Sequence, residues 1–265
     1  MRGGPAAAPR PLVPLKLLHQ LRLHAEGAGL NLFGIVDRAR FDACEPRESR
    51  VDAVAPACGT VIVLGSGGRG LAERHATVRV RGGIDATVAH VVDHFAATLS
   101  TCGIPAMAVR FDAGSRIRGD RLAEAAGLGI VSPVSGFLLH PEFGPWVRVR
   151  AAILCAGQPF GAIAEASLVD RFQPCNGCAR PCVGACPAHG RAAPQEPELA
   201  ACAGHRHLGG CADECARRMA CPVGAEHCDC GDDHVHRHGH DLGTLRRWFG
   251  LGVWRYVPKA LRGGP

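Results

Sequence analysis

Two cysteine-rich runs constrain the fold of this chain more than any other feature. Each run ends in a Cys-Pro pair, the first at Cys186-Pro187 and the second at Cys221-Pro222. Between positions 175 and 221 the chain carries eight cysteines: Cys175, Cys178, Cys182, Cys186, Cys202, Cys211, Cys215 and Cys221. A four-iron cluster is held by four thiolates, so this count suffices for two [4Fe–4S] clusters. It predicts a small ferredoxin-like domain in a protein that transfers electrons.

The positions of the Cys-Pro pairs predict which thiolates share a cluster. In two-cluster ferredoxins, three close cysteines bind one cluster, and the fourth ligand is the Cys-Pro cysteine of the other run. The first cluster would then take four residues: Cys175, Cys178, Cys182 and Cys221. The second cluster would take the other four: Cys186, Cys202, Cys211 and Cys215. The interval from Cys178 to Cys182 is one residue longer than the regular pattern, and the second run is spaced more loosely still.

Zinc and disulfides are the alternatives to iron–sulfur clusters. Zinc ribbons usually pair two close C-x2-C knuckles, whereas only Cys175 and Cys178 form such a pair here. The apolar stretch near the N-terminus is interrupted by polar and charged residues and lacks the continuous h-region of a signal peptide. We therefore expect a reducing cytoplasm, where cysteines bind metals more often than they form disulfides. Four isolated cysteines are expected to be small core residues: Cys44, Cys58, Cys102 and Cys155.

Charge and hydropathy limit the partners that we expect. The chain has 265 residues and a formal net charge of +6, and its basic residues are spread along it without interleaved aromatic residues. This pattern is not typical of a nucleic-acid interface, so we expect no nucleic acid as the main partner. No stretch approaches about 18 uncharged apolar residues, so we expect no membrane span. The expected partner is a redox protein or a reductase.

Periodicity divides the chain into an α/β domain and a cysteine-rich domain. Apolar spacing predicts helices over residues 12–29, 84–99 and 120–126. Short apolar or β-branched runs predict strands over residues 31–37, 60–64, 106–111, 135–140 and 146–154. We predict four segments: a flexible tail over 1–11, an α/β cofactor-binding-like domain over 12–170, a ferredoxin-type domain over 171–231, and a His-rich segment with an amphipathic tail over 232–265.

Two further motifs each allow a functional and a structural interpretation. Residues 65–70 match G-x-G-x-x-G after a strand, which suits a dinucleotide phosphate loop or a plain turn, and residues 77–81 then predict another strand. Four histidines stand at alternate positions: His234, His236, His238 and His240. In an extended chain they would share one face and could bind a divalent metal with Cys228 or Cys230. The alternative is a flexible polar tail.

The helix over 120–126 and the glycines that follow it resemble epoxyqueuosine reductase. The sequence Asp120-Arg-Leu-Ala-Glu-Ala-Ala-Gly-Leu-Gly129 precedes the two cysteine runs, as in that family of cobalamin-dependent iron–sulfur enzymes of tRNA modification. The family continues with Trp-x-Gly-Lys, where this chain has Ile130-Val-Ser-Pro133. Its acidic proton donor lies shortly before the same helix, where Asp112 is the nearest candidate. Because these positions differ, the resemblance does not carry the substrate over.

A second segment resembles the cobalamin-processing chaperone that decyanates and dealkylates vitamin B12. Its sequence is His140-Pro-x-x-Gly144-x-Trp146-x-x-x-Arg150. Both families share a nitroreductase-like α/β fold in which a corrinoid lies against the sheet, so the resemblance implies that fold here. It also implies a cobalamin site, for which it suggests six residues: Gly127, Gly129, His140, Gly144, Trp146 and Arg150.

Three functional hypotheses follow from these features. The first is an iron–sulfur oxidoreductase that relays single electrons through two [4Fe–4S] clusters to a bound cofactor, such as a corrinoid, or to a substrate. The second is a non-catalytic carrier, either ferredoxin-like or a chaperone that handles cobalamin or metal. The third is a nicotinamide-dependent reductase that uses residues 65–70. No Ser/His/Asp or paired-carboxylate arrangement stands out, so hydrolytic chemistry is not expected.

Overall fold

A computed structural model of the chain describes two parts. The α/β part covers residues 13–78, 83–111 and 115–161. The cysteine-rich part covers residues 171–187, 202, 204–205, 210–211 and 215–228. Asp112, Cys230 and the histidines of the segment 234–240 lie outside the described residues, so the predictions made for them stay predictions.

Helices and strands are intermixed through the α/β part, and short helices follow in the cysteine-rich part. The helices are α1 Val13–Gly27, α2 Arg38–Cys44, α3 Gly70–Val78, α4 Gly83–Thr101, α5 Gly119–Ala125, α6 Pro181–Ala185 and α7 Ala216–Met219. The strands are β1 Leu32–Asp37, β2 Cys58–Gly67, β3 Ala106–Arg110, β4 Ile130–Val131, β5 Leu138–Leu139 and β6 Val147–Ala156. Short 3₁₀ helices cover Arg47–Ser49 and Ala225–His227.

Four of the strands form one antiparallel sheet in the order β1-β2-β6-β3. The central strands β2 and β6 are long and almost wholly buried, because helices cover both faces of the sheet. Strands β4 and β5 pair separately as a small antiparallel hairpin. This hairpin lies between α5 and β6 in the chain, and its loop contacts the cysteine-rich part.

Two hydrophobic cores lie on opposite faces of the sheet. On one face α1, α3 and α4 pack against Ile62 and Leu64 of β2, and α4 contributes Val88, Val91, Val92, Phe95 and Leu99, the residues of its predicted apolar stripe. On the other face α2 and α5 pack against Val61 and Val63. Neighbouring residues of β2 therefore point to opposite cores, as the alternation of a strand requires. Each fully buried apolar side chain contributes about 1.5–3 kcal/mol.

Most of the predicted elements are present, and the mixed α/β class is confirmed. The prediction of a strand over 77–81 is wrong at its start, because Thr77 lies in α3. Its hydroxyl donates to the carbonyl of Glu73 at 2.9 Å, and this hydrogen bond accommodates the polar group of a β-branched residue within the helix. The predicted strand over 135–140 shortens to Leu138–Leu139, because Ser135 belongs to a turn in which the Gly136 amide donates to the Ser132 carbonyl. No helix within the described ranges is long and apolar enough to span a bilayer.

The isolated cysteines divide into two pairs. Cys58 and Cys155 are buried in neighbouring strands, as predicted, and burial raises the pKa of the Cys58 thiol to about 11 and that of the Cys155 thiol to about 12. The prediction is wrong for Cys44 and Cys102, which are exposed. Both lie where a helix ends, Cys44 as the last residue of α2 and Cys102 just after α4, so the chain leaves the core there.

Candidate cluster site

Four cysteines from the two runs line a single cleft next to the α/β part: Cys175, Cys178, Cys182 and Cys221. These are the residues that the spacing assigns to the first cluster. The cleft has about 340 Å³ of empty volume, which includes open solvent. The α/β part contributes four residues to its wall: Ser132, Val134, Ser135 and Leu139. The cleft therefore brings both cysteine runs against the β4–β5 hairpin.

Local backbone geometry places Cys182 and Cys221 in the cleft. Arg180 adopts a left-handed conformation with φ of 55°, and Pro181 then begins α6 at a position that suits proline. Cys182 follows in α6 and is buried. Cys221 follows α7 after one intervening residue, and its amide donates to the carbonyl of Arg218 at 3.1 Å. Because α6 and α7 pack together, the two cysteines meet although they are far apart in sequence.

Polar groups lie within hydrogen-bonding distance of the sulfur atoms of Cys175 and Cys178. The Cys175 Sγ lies 3.2 Å from the hydroxyl oxygen of Ser132. The Cys178 Sγ accepts the backbone amide of Arg180 at 3.3 Å. Groups that donate to a metal-bound thiolate stabilise its negative charge.

The thiols of the cleft also interact electrostatically. Burial raises the pKa of Cys182, the charges of Cys175 and Cys178 act in the same direction, and the guanidinium of Arg217 opposes them. Burial likewise raises the pKa of Cys221, and the other three thiols add to that rise. Cys182 and Cys221 therefore favour the protonated state when no metal is bound, and binding of iron would displace their protons.

Two arginines of α7 contact the loop of the β4–β5 hairpin and hold the second cysteine run against it. Arg217 is buried, and its Nη2 donates to the carbonyl oxygen of Val134. The guanidinium of Arg218 lies 5.0 Å from the ring centroid of Phe137, a cation–π distance. Arg217 thus holds the helix that precedes Cys221 and places a positive charge near Cys182.

The donor set of this cleft fits a four-iron cluster. Such a cluster takes one thiolate at each iron, and the cleft offers four thiols, polar contacts to their sulfur atoms and one buried cation. Among the described residues, no group of three or more His, Cys, Asp or Glu side chains is arranged to hold a single metal ion.

The other four cysteines are those that the spacing assigns to the second cluster. Cys186, Cys202, Cys211 and Cys215 are each half-buried. Residues 188–201, 203, 206–209 and 212–214, which connect them, lie outside the described ranges. The second cluster on these cysteines stays a prediction.

Gly127 and Gly129 of the predicted cobalamin site have local structural roles. Gly127 has a φ of 72° and donates its amide to the carbonyl of Glu124, while the amide of Leu128 donates to Ala123. This pair of bonds is the Schellman motif, which ends α5 with a left-handed glycine. A Cβ on Gly129 would lie 2.5 Å from the carbonyl oxygen of Leu139, so glycine lets the hairpin close.

His140 and Gly144 form a turn that contacts the cysteine-rich part. The Nδ1 of His140 accepts the amides of Glu142 at 3.1 Å and Phe143 at 3.3 Å, and its ring stacks on Phe143. Gly144 has a φ of 53°, and a Cβ there would lie 1.9 Å from the carbonyl oxygen of Val223. The turn is therefore a docking surface for the segment that follows Cys221.

Trp146 and Arg150 are buried at the start of β6. Trp146 is 5% exposed, and its carbonyl accepts the amide of Gly68. The Nε of Arg150 donates to the hydroxyl of Ser66 at 3.0 Å. The contacts of all six predicted residues give each of them a role in the fold, and none of these contacts requires a corrinoid.

The first half of the glycine-rich motif over 65–70 lies within a strand of the sheet. Gly65 and Gly67 lie within β2, whose neighbours in the sheet are antiparallel, whereas a dinucleotide fingerprint lies at the end of a strand in a parallel βαβ unit. The amide of Gly67 donates to Asn31 at 2.7 Å and that of Gly68 to Trp146 at 2.9 Å, so neither is available to a phosphate. The structural interpretation of the motif is therefore the correct one.

Sequence reasoning missed Ser132, Phe143 and Arg217. The ring of Phe143 stacks on His140 and meets His227 edge to face, and it also fills the space in which a Cβ on Gly67 would lie. For Ser132 a signal was present, because it falls where the chain departs from the reductase pattern. Arg217 carried no signal, since a single arginine in an arginine-rich chain is not distinctive.

Comparisons with known proteins identify a shared fold. No family model and no curated protein matches the sequence. An epoxyqueuosine reductase solved with an epoxyqueuosine-modified tRNA stem loop superposes with a TM-score of 0.59 and 16% identity, over 83% of this chain and 68% of that one. The Bacillus subtilis enzyme gives 0.57 and 13%, over 79% and 66%. The Streptococcus thermophilus enzyme gives 0.53 and 11%, over 78% and 65%.

This chain has the fold of the epoxyqueuosine reductases. The mixed α/β fold expected from its resemblance to that family is thereby confirmed, while the ferredoxin-like domain stays a prediction. The chain spans about two thirds of the length of these enzymes. One of these enzymes was solved with a tRNA stem loop. That finding conflicts in part with our expectation that nucleic acid is not the main partner.

Proposed function

We propose that this protein is an iron–sulfur reductase. In this proposal, four thiolates hold a [4Fe–4S] cluster at the cleft: Cys175, Cys178, Cys182 and Cys221. The observation that supports it is the meeting of cysteines from both runs on the wall of one cleft. The epoxyqueuosine reductases of the same fold support the assignment as a reductase.

When bound, the cluster supplies one-electron transfer, and the surrounding residues prepare its environment. The thiolates bind iron, while Ser132 and the Arg180 amide face two of the sulfurs. Val134 and Leu139 give the cleft an apolar wall that limits water near the cluster. Limited water and hydrogen bonds to sulfur are two of the factors that set a cluster's reduction potential.

The position of the cleft suggests where the electron goes. The β4–β5 hairpin forms one wall of the cleft and joins α5 to β6 of the sheet. We propose that the electron passes to a cofactor or substrate held by the α/β part, and that a second cluster on the remaining four cysteines delivers it to the first. A corrinoid is the acceptor that the family resemblance implies.

Anaerobic purification with iron, sulfide, zinc and cobalt analysis tests the proposal. We expect acid-labile sulfide and about four irons per cluster, hence about eight if both clusters assemble. A colourless protein that contains zinc and no sulfide would contradict it. Titration with cobalamin then tests the acceptor, since a shift of the corrinoid absorbance bands supports a corrinoid and an unchanged spectrum favours another acceptor. Turnover of a bound acceptor by the reduced protein separates a reductase from a carrier.

A further inference from the structure

Ser132 is the residue of the α/β part whose hydroxyl faces a cysteine of the cleft. Its oxygen lies 3.2 Å from the Sγ of Cys175, although the two residues are 43 positions apart in sequence. Ser132 is 2% exposed, so bulk water does not compete for this contact. The pair joins the β4–β5 loop to the cysteine-rich part through side chains.

The other bonds of the Ser132 hydroxyl determine the direction of this contact. The oxygen accepts the amide of Val134 at 3.2 Å and the amide of Ser135 at 3.0 Å. A hydroxyl has two acceptor sites and one hydrogen, so these two bonds occupy its acceptor capacity. Its hydrogen is left to point at Cys175, and an iron-bound thiolate has no hydrogen to give in return.

The backbone of Ser132 keeps the hydroxyl in place. Its amide donates to the carbonyl of Phe137 at 2.9 Å, and its carbonyl accepts the amide of Gly136 at 2.8 Å. The residue is therefore fixed by four hydrogen bonds besides the one to sulfur. A donor fixed in this way does not need to reorganise when the charge on the sulfur changes.

We propose that Ser132 raises the reduction potential of the cluster held by Cys175. A cluster gains one negative charge on reduction, and part of that charge resides on its sulfur ligands. A hydrogen bond to a ligand sulfur stabilises the more negative, reduced state, and this raises the potential. Through Ser132, the α/β part, which receives the electron in the proposed function, also adjusts the reduction potential of the cluster that donates it. The inference rests on the proposed iron–sulfur function.

An EPR-monitored redox titration of Ser132→Ala tests this role. Loss of the hydroxyl should lower the midpoint potential of one cluster. At the wild-type midpoint the ratio of reduced to oxidised cluster should fall about three- to tenfold, the size expected for the net contribution of one ordinary hydrogen bond. Any second cluster should keep its potential. An unchanged midpoint in Ser132→Ala would overturn the inference.

Two further variants separate the hydroxyl from the shape of the loop. Ser135→Ala is the matched control, because Ser135 lines the same cleft but its hydroxyl accepts the amide of Phe137 and is not paired with a cluster cysteine. Its midpoint should equal that of the wild type. Ser132→Thr keeps a hydroxyl and should remain near the wild-type value. If Ser132→Thr or Ser135→Ala falls as far as Ser132→Ala, the effect belongs to the loop and the inference fails.

A fourth variant covers the case in which Ser132→Ala does not retain its cluster. Ser132→Cys carries a weaker donor at the same position, so its midpoint should also lie below that of the wild type. A midpoint equal to or above the wild-type value would overturn the inference. Failure of the proposed function is distinguishable from all these results, because a wild-type protein without iron and sulfide gives no cluster signal to titrate.

Discussion

Gly144 shows how a single residue joins the two parts of this protein. Its backbone adopts a positive φ of 53°, and its α-carbon faces the carbonyl of Val223, which also lines the cleft. A side chain at this position would meet backbone atoms, which cannot rotate out of the way. The sequence indicated that this glycine belongs to a motif, but it could not show which distant segment approaches it.

We expect Gly144→Ala to destabilise the protein and to disturb the cleft. The new methyl group would displace Val223 in addition to straining the backbone, so the free energy of unfolding should fall by more than about 2 kcal/mol. That corresponds to a drop in Tm of roughly 4–8 °C for a chain of this size. Thermal unfolding and iron content measure the two effects.

Gly136→Ala is the control for this prediction. Gly136 also has a positive φ, of 73°, but a Cβ there would meet no atom within 4 Å. Its replacement should cost about 1 kcal/mol of backbone strain and leave the iron content unchanged. Equal losses in the two variants would show that contact with Val223 is not important.

At the scale of elements, the turn between β5 and β6 depends on a neutral histidine. The Nδ1 of His140 accepts two backbone amides, which requires that this nitrogen carry no proton. Burial lowers the pKa of His140; the nearby Glu142 acts against this lowering, and His227 adds to it. The folded state therefore favours the neutral ring.

This preference predicts a loss of stability in mild acid. The unfolded chain takes up the His140 proton at its ordinary pKa of about 6.5, whereas the folded state takes it up only at lower pH. The stability that His140 contributes is complete above about pH 6.5 and is lost as the pH falls through the lowered pKa. In His140→Asn, whose side-chain oxygen can still accept the backbone amides, Tm should fall less between pH 7 and pH 5. An acid dependence identical to that of the wild type would contradict this account.

The elements differ in how far the sequence could predict them. Helix α4 was predictable because its apolar residues keep a helical period over many positions. The centre of β2 was predictable because residues 60–64 form a β-branched run bounded by glycine. Thr77 was misassigned to a strand because β-branched residues favour strands. In α3 its hydroxyl donates to the carbonyl of Glu73, and this hydrogen bond exists only when the helix has formed. The antiparallel order of the sheet, and with it the role of the 65–70 glycines, depends on long-range pairing, which local periodicity does not encode.

At the scale of the whole molecule, the central feature is the meeting of the two cysteine runs. The cysteine count and the Cys-Pro pairs predicted the group of four cysteines that line the cleft, because the chemistry of the cluster constrains the spacing of its ligands. The sequence could not place the β4–β5 loop, the hydroxyl of Ser132 or the guanidinium of Arg217 beside them. Those contacts arise only when α7 docks on the hairpin.

The iron content and EPR spectrum of Cys221→Ala test the central claim most directly. Cys221 is the one residue of the second run among the proposed ligands of the first cluster, so its loss should remove that cluster, or about four irons, and the corresponding EPR signal. Cys102→Ala, which removes an exposed thiol after α4, should retain the wild-type iron content and spectrum. A Cys221→Ala protein with full iron content and an unchanged EPR spectrum would contradict the assignment of these four cysteines to one cluster.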